Sequence, residues 1–90
     1  MNEIYKVLEK SKSIEILVAL NGEKKVFLSE LLIKLKTKDT NTINRRIQSL
    51  QKAGLIKDET EAKFGGRRYI WLTEKGNKIA SFLLDIKKLS

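Results

Sequence analysis

The ninety residues contain no cysteine, no histidine and no proline. The missing cysteine excludes disulfides and thiolate zinc sites. The missing histidine removes the usual general base and the commonest neutral metal ligand. With no proline, no low-complexity run and no internal repeat, no linker is visible, and one domain over residues 1–90 is expected, with a core over about residues 13–76. No apolar run approaches the length of a membrane span, so no membrane association is expected. Met1 to Ser13 is too charged for a signal peptide, and a cytoplasmic, intracellular, nucleoid-associated location is the simplest expectation.

Catalytic groupings are also lacking. Asp58, Glu59 and Glu61 cluster on one expected strand, but no histidine or glycine loop accompanies them, and a solvated strand face explains them. There is no phosphate-binding loop of the GxxxxGK type. The sequence therefore points to no enzyme, no metal site and no cofactor.

What is present is positive charge, unevenly placed. The net charge is +8. Residues 1–33 balance five lysines against five glutamates. Residues 34–68 carry ten Lys/Arg against four acids, a balance of +6, and residues 69–90 carry four against two. A localised positive field is the electrostatic footprint of a phosphate-backbone binder.

Periodicity supplies the elements. Ile4, Val7 and Leu8, then Ile14, Leu17 and Val18, recur at helical spacing, with Ser11-Lys12-Ser13 as an interruption. A helix is expected from about Ser13 to Leu20, preceded by a helical lead-in and stopped at Asn21-Gly22. Val26-Phe27-Leu28 suits one short edge strand. Ser29 is expected to cap the next helix, with Glu30 in its first turn and Leu31, Leu32 and Leu35 on its buried side. After a turn at residues 36–39, a third helix is expected from about Thr40 to Ala53, capped by Asp39 or Thr40 and stopped by Gly54. A strand from Leu55 to about Lys63, a tip at Phe64-Gly65-Gly66 and a return strand from Arg67 to Thr73 follow. The last helix is expected over about residues 74–89. The sum is a small α+β domain with a helix set directly before a basic-tipped hairpin.

The third helix carries the first candidate site. Ile43, Ile47 and Leu50 form one inward stripe. At 100° per residue, Asn41, Arg45, Gln48 and Lys52 then point away from the core, and Thr42, Asn44, Arg46 and Ser49 lie on the flanks. Arginine forks onto guanine in the major groove, and Asn or Gln onto adenine. The N-terminal half of such a helix meets the bases. That selects Asn41, Thr42, Asn44 and Arg45 for base reading, with Arg46 and Ser49 on the DNA backbone and Thr40 and Gln48 completing the candidate set. Taken alone, this helix fits an ordinary solvated face equally well.

The tip tilts the balance toward DNA. Gly65 and Gly66 supply the positive φ of a tight hairpin, and Lys63, Arg67 and Arg68 place charge where phosphates or a narrow minor groove would be met. Tyr69 and Trp71 share one strand face, read here as packing under a neighbouring helix rather than a stacking platform for single-stranded bases. On the last helix, Ile79, Phe82, Ile86 and Leu89 fall at spacings of 3, 4 and 3, with Leu83 widening the apolar surface. A ninety-residue monomer cannot easily cover both sides, so a homodimer is expected through these residues, joined by Ile4, Val7 and Leu8.

The runs INRRIQSLQKAGLI and FGGRRYIWLTEKG resemble the winged helix-turn-helix transcription regulators, in particular the MarR-like and PadR-like groups and small archaeal relatives. The resemblance covers about Ile14 to Gly76. It implies a three-helix core with a β-hairpin wing, and a C-terminal helix used in dimerisation. It also implies a homodimer on a pseudo-palindromic duplex site, with Thr40 to Ser49 in the major groove and Lys63, Arg67 and Arg68 on the wing. The chain has no room for the extra helices and ligand pocket of larger MarR-like proteins, which argues against a small-molecule effector. The function expected is sequence-specific duplex-DNA binding by a transcription regulator, acting as a repressor. A non-specific architectural or replication-associated DNA binder on the same fold is the first alternative, separable by competition with random duplex. A protein-interaction module is the second, separable by its lack of DNA affinity at low salt.

Overall fold

The computed structural model describes residues 2–61 and 66–90. Its elements run α1 (Glu3–Glu9), α2 (Ser13–Leu20), β1 (Val26–Phe27), α3 (Leu28–Lys34), α4 (Thr40–Lys52), β2 (Ile56–Glu61), β3 (Arg67–Leu72) and α5 (Glu74–Leu89). Among the described residues this is an α+β arrangement: five helices and one antiparallel sheet in the order β1-β3-β2.

The sequence dictates most helix ends locally. The Asn2 side chain accepts the Ile4 N–H at 2.7 Å and starts α1. Gly22, at φ +80°, stops α2. After α4 the chain turns left-handed at Gly54, at φ +79°, while the Leu55 N–H returns to the Leu50 carbonyl at 2.9 Å and the Gly54 N–H to Gln51 at 3.0 Å. These bonds satisfy carbonyls that the helix end would otherwise orphan. Lys36 plays the same part after α3 at φ 54°, which sets the sharp turn into α4.

One cap differs from expectation. Ser29 does not cap α3: the helix begins at Leu28, and Glu30 Oε1 accepts the Phe27 N–H at 3.2 Å. The cause is tertiary. Val26 and Phe27 pair with Ile70 and Tyr69 of β3, so the chain is extended up to Phe27 and turns helical immediately after it.

The core lies between the helices and one sheet face. Ile16, Leu17 and Leu20 of α2, Leu31 of α3, and Ile43, Ile47 and Leu50 of α4 meet Ile70 and Leu72 of β3 there. Each such side chain contributes about 1.5–3 kcal/mol on burial. Val7 also belongs to this core and is covered within the subunit, so it is removed from the expected dimer surface. The packing of α5 depends on small residues. Gly76 sits so close to Leu55 that a β-carbon would be driven into the Leu55 carbonyl. Thr73 fixes that junction: its hydroxyl donates to the Gly54 carbonyl at 2.7 Å and accepts the Gly76 N–H at 3.0 Å.

On the other sheet face, the partners of Tyr69 and Trp71 differ from the helix expected to cover them. Tyr69 stacks on Phe27 with ring centroids 4.8 Å apart, Lys25 Nζ stands 5.2 Å from the centroids of both Tyr69 and Trp71, and Arg67 lies 4.7 Å from that of Phe27. Edge and face thus pack among themselves, through stacking and cation–π contacts. Among the described residues no helix is long and apolar enough to cross a membrane.

Candidate nucleic-acid interface

The α4 helix is anchored on the core by the stripe Ile43, Ile47 and Leu50, all fully buried. Opposite the stripe, Asn41 and Arg45 are exposed. Gln48 and Lys52 are exposed as well, and so is Thr40 at the helix start. Thr42, Asn44, Arg46 and Ser49 are half-buried on the flanks. The side chains have the burial that helical angles require.

The two flanks have different partners. On one, Arg68 of β3 donates through Nη1 to Asn44 Oδ1 at 3.0 Å and through Nε to Asp58 Oδ2 at 2.6 Å. Asp58 also accepts from the Gln51 side chain. Four side chains from α4, β2 and β3 thus close a polar network between helix and wing. On the opposite flank, Arg46 Nε donates to the Ser11 carbonyl at 2.9 Å and ties α4 to the α1–α2 turn. Neither link was visible in the sequence, because the partners are 24 and 35 residues apart. The only hint was that Arg68 falls on the same strand face as Ile70 and Leu72.

The start of α4 is ordered by Asp39. Its carboxylate accepts the Thr42 N–H at 3.1 Å and the Thr42 hydroxyl at 2.6 Å. These two bonds, helped by the positive charges of Arg45 and Lys12, hold the Asp39 carboxyl below its ordinary range. Arg45 approaches the same group, with Nη2 3.5 Å from the Thr42 hydroxyl, and Ser49 folds its hydroxyl back onto the Arg45 carbonyl at 3.1 Å. Of the crest, Asn41 and Gln48 make no side-chain hydrogen bond among the described residues, and Arg45 makes only that long one.

On the wing, Arg67 pairs with Glu61 in the last register position of the β2–β3 ladder, and both Arg67 and Gly66 are exposed. Gly66 takes φ +76°, a left-handed conformation that glycine adopts without steric cost. Lys63 and Gly65 lie outside the described residues. Among the described residues no cluster of carboxylates is suited to a metal ion.

The expected dimer residues divide. Ile79 and Leu83 of α5, with Ile4 and Leu8 of α1, pack partly onto the core. Phe82, Ile86 and Leu89 remain 66%, 63% and 89% exposed.

A helix-turn-helix backed by a helical core and followed by a two-stranded wing is a winged helix-turn-helix, and that is the fold of this chain. No protein-family model matches the sequence, and no curated protein matches it. Solved structures do. A protein assigned to the MarR family of transcriptional regulators from Porphyromonas gingivalis is 19% identical, with a TM-score of 0.85 over 94% of this chain and 82% of that one. A protein assigned to the HxlR family from Thermoplasma volcanium is 21% identical, with a TM-score of 0.83 over 96% of this chain and 76% of that one. FabT of Streptococcus pneumoniae, solved in complex with DNA, is 18% identical with a TM-score of 0.75; the match covers 89% of this chain and 55% of that one.

Proposed function

We propose that this chain is a sequence-specific double-stranded-DNA-binding transcription regulator that acts as a homodimer and represses by occupying its site. The observation that carries the reading is the crest of α4. Asn41, Arg45 and Gln48 stand clear of the fold on a helix held rigid along both flanks. These residue types match major-groove base edges, and rigid presentation is what base reading needs. The flanking cations match the phosphates. The presence of FabT, a protein solved on DNA, among the structures of this fold supports the same reading.

In this reading Asn41, Thr42, Arg45 and Gln48 meet bases. Thr40, Ser49, Gly66 and Arg67, together with Lys63 and Gly65, lie along the backbone or minor groove. Arg46, Asn44 and Arg68 hold the helix in place, with their remaining donors available to phosphates. The exposed α5 seam at Phe82, Ile86 and Leu89 joins two copies, with Ile79, Leu83, Ile4 and Leu8 at its base. Two reading helices then face half-sites about 34–36 Å apart. Neither catalysis nor a cofactor enters this reading, a small-molecule effector is disfavoured, and the chain works where the cell keeps its DNA.

Selection of bound duplexes from a random pool tests this. Enrichment of one pseudo-palindromic site is expected. Retention of the pool without enrichment would instead favour a non-specific architectural binder, and no retention at low salt would leave a protein-interaction module.

A further inference from the structure

A helix lying in the major groove, about 12 Å wide, has a phosphate strand along each side. The wing stands on the Asn44 side of α4 and, in the proposed reading, serves one of these strands. What stands on the other side is the turn between α1 and α2, held there by the bond from Arg46 to the Ser11 carbonyl.

We propose that this turn, through Lys10 and Lys12, is a second phosphate-binding arm of the interface, gripping the DNA strand opposite the one met by the wing. The proposal rests on the reading of α4 as the groove-reading helix. Three observations carry it. The turn is anchored, since Arg46 fixes Ser11 between the two lysines at 2.9 Å. It is also shaped: Lys12 adopts φ 70°, a left-handed conformation that disfavours any residue with a β-carbon, yet the position holds a lysine rather than glycine or asparagine. And it is electropositive. Lys10 lines the cleft between α1 and α4 with Lys6 and Lys52, against the single acid Glu3. Charge counting along the chain hides this arm, because residues 1–33 sum to zero. Folding separates the two lysines from that average and sets them beside α4.

The test is a salt titration of binding to a random-sequence duplex, which needs no knowledge of the operator. The variants are Lys10→Ala and Lys12→Gly, with Lys12→Asn as a second choice that also tolerates the left-handed turn. Lys78→Ala on α5 is the control. Removing one lysine–phosphate pair lowers the slope of log K against log salt by about 0.9. Between about 50 and 200 mM salt, a variant should therefore lose about threefold less affinity per subunit than the wild type. The Lys12→Gly protein should unfold at the same temperature as the wild type or higher. Slopes and affinities equal to the wild type in all three turn variants would overturn the arm while leaving the DNA-binding reading intact. Failure of the wild type to bind any duplex at low salt would overturn that reading, and the arm with it.

Discussion

Arg68 Nη1 lies 3.0 Å from Asn44 Oδ1, so a wing strand and the α4 helix share one hydrogen bond across 24 residues of chain. The same guanidinium is paired with Asp58, the two side chains being 25% and 27% exposed. Loss of Arg68 leaves a largely covered carboxylate with Gln51 alone. Arg68→Ala is therefore expected to lower stability by about 1–3 kcal/mol, whereas Arg67→Ala, which loses an exposed cation–π contact with Phe27, should cost no more than about 0.5–1 kcal/mol. A double-mutant cycle on Asn44→Ala and Arg68→Ala, read by chemical denaturation, should give a coupling of about 0.5 kcal/mol or more. Strict additivity would show that the Asn44–Arg68 bond does not couple wing to helix.

Arg45 is the test of base reading. Its side chain is exposed and, among the described residues, its only hydrogen bond is the long one to Thr42, so Arg45→Ala should leave stability nearly unchanged. Against the selected site it should cost about 1–3 kcal/mol of binding, and discrimination should relax at one base position per half-site. A uniform loss across all duplexes would instead place Arg45 on phosphate.

These two arginines mark how far the sequence was legible. The stripe Ile43, Ile47 and Leu50, the crest containing Arg45, and the stop at Gly54 follow from local rules, namely helical period and a left-handed cap. What stands beside each flank does not. A helical wheel sets Asn44 on one flank and Thr42, Arg46 and Ser49 on the other, but it names no partner for either. Only tertiary structure sends Asn44 to the wing and Arg46 to the α1–α2 turn. The same limit explains Ser29, whose capping role is lost to the pairing of Val26 and Phe27 with β3. It explains Val7 as well: periodicity marked it as apolar without saying which apolar surface would cover it.

The run Gly54-Leu55 and the distant Thr73 to Gly76 act as one joint. Thr73 bonds Gly54, and Gly76 passes directly over the Leu55 backbone. Backbone cannot retract as a flexible side chain can. Gly76→Ala should thus destabilise by about 1–3 kcal/mol or more, although alanine is the better helix former. Thr73→Ala removes the cap and should cost about 1 kcal/mol. Denaturation midpoints would report both, and a Gly76→Ala protein as stable as the wild type would contradict the packing described.

Asp39 sets a pH dependence with a definite sign. Its folded-state pKa lies below the ordinary 3.8, chiefly because the Thr42 hydroxyl and N–H donate to the carboxylate. A depressed carboxylate contributes stability that is fully present above the unfolded value and is lost as pH falls through the folded value. The contribution should therefore persist at neutral pH and fade only below about 3.8. Asp39→Asn keeps an acceptor for the Thr42 N–H but has no charge to titrate. Its melting temperature should fall less steeply than that of the wild type over that acid range. Parallel acid limbs for the two proteins would remove Asp39 from the account.

The proposed dimer contact along α5 makes oligomeric state a test. Phe82, Ile86 and Leu89 are exposed, while Ala80 of the same helix is buried in the core. A charge on the exposed side should consequently leave the fold intact and act on association alone. For Ile86→Glu, sedimentation is expected to give a monomer where the wild type gives a dimer, with the thermal unfolding of the subunit otherwise cooperative. Binding to a full pseudo-palindromic site should fall sharply, because two linked half-site interactions become two independent ones. Binding to an isolated half-site should change little. A wild type that sediments as a monomer at micromolar concentration, or an Ile86→Glu protein that remains dimeric, would move the dimer interface away from this helix.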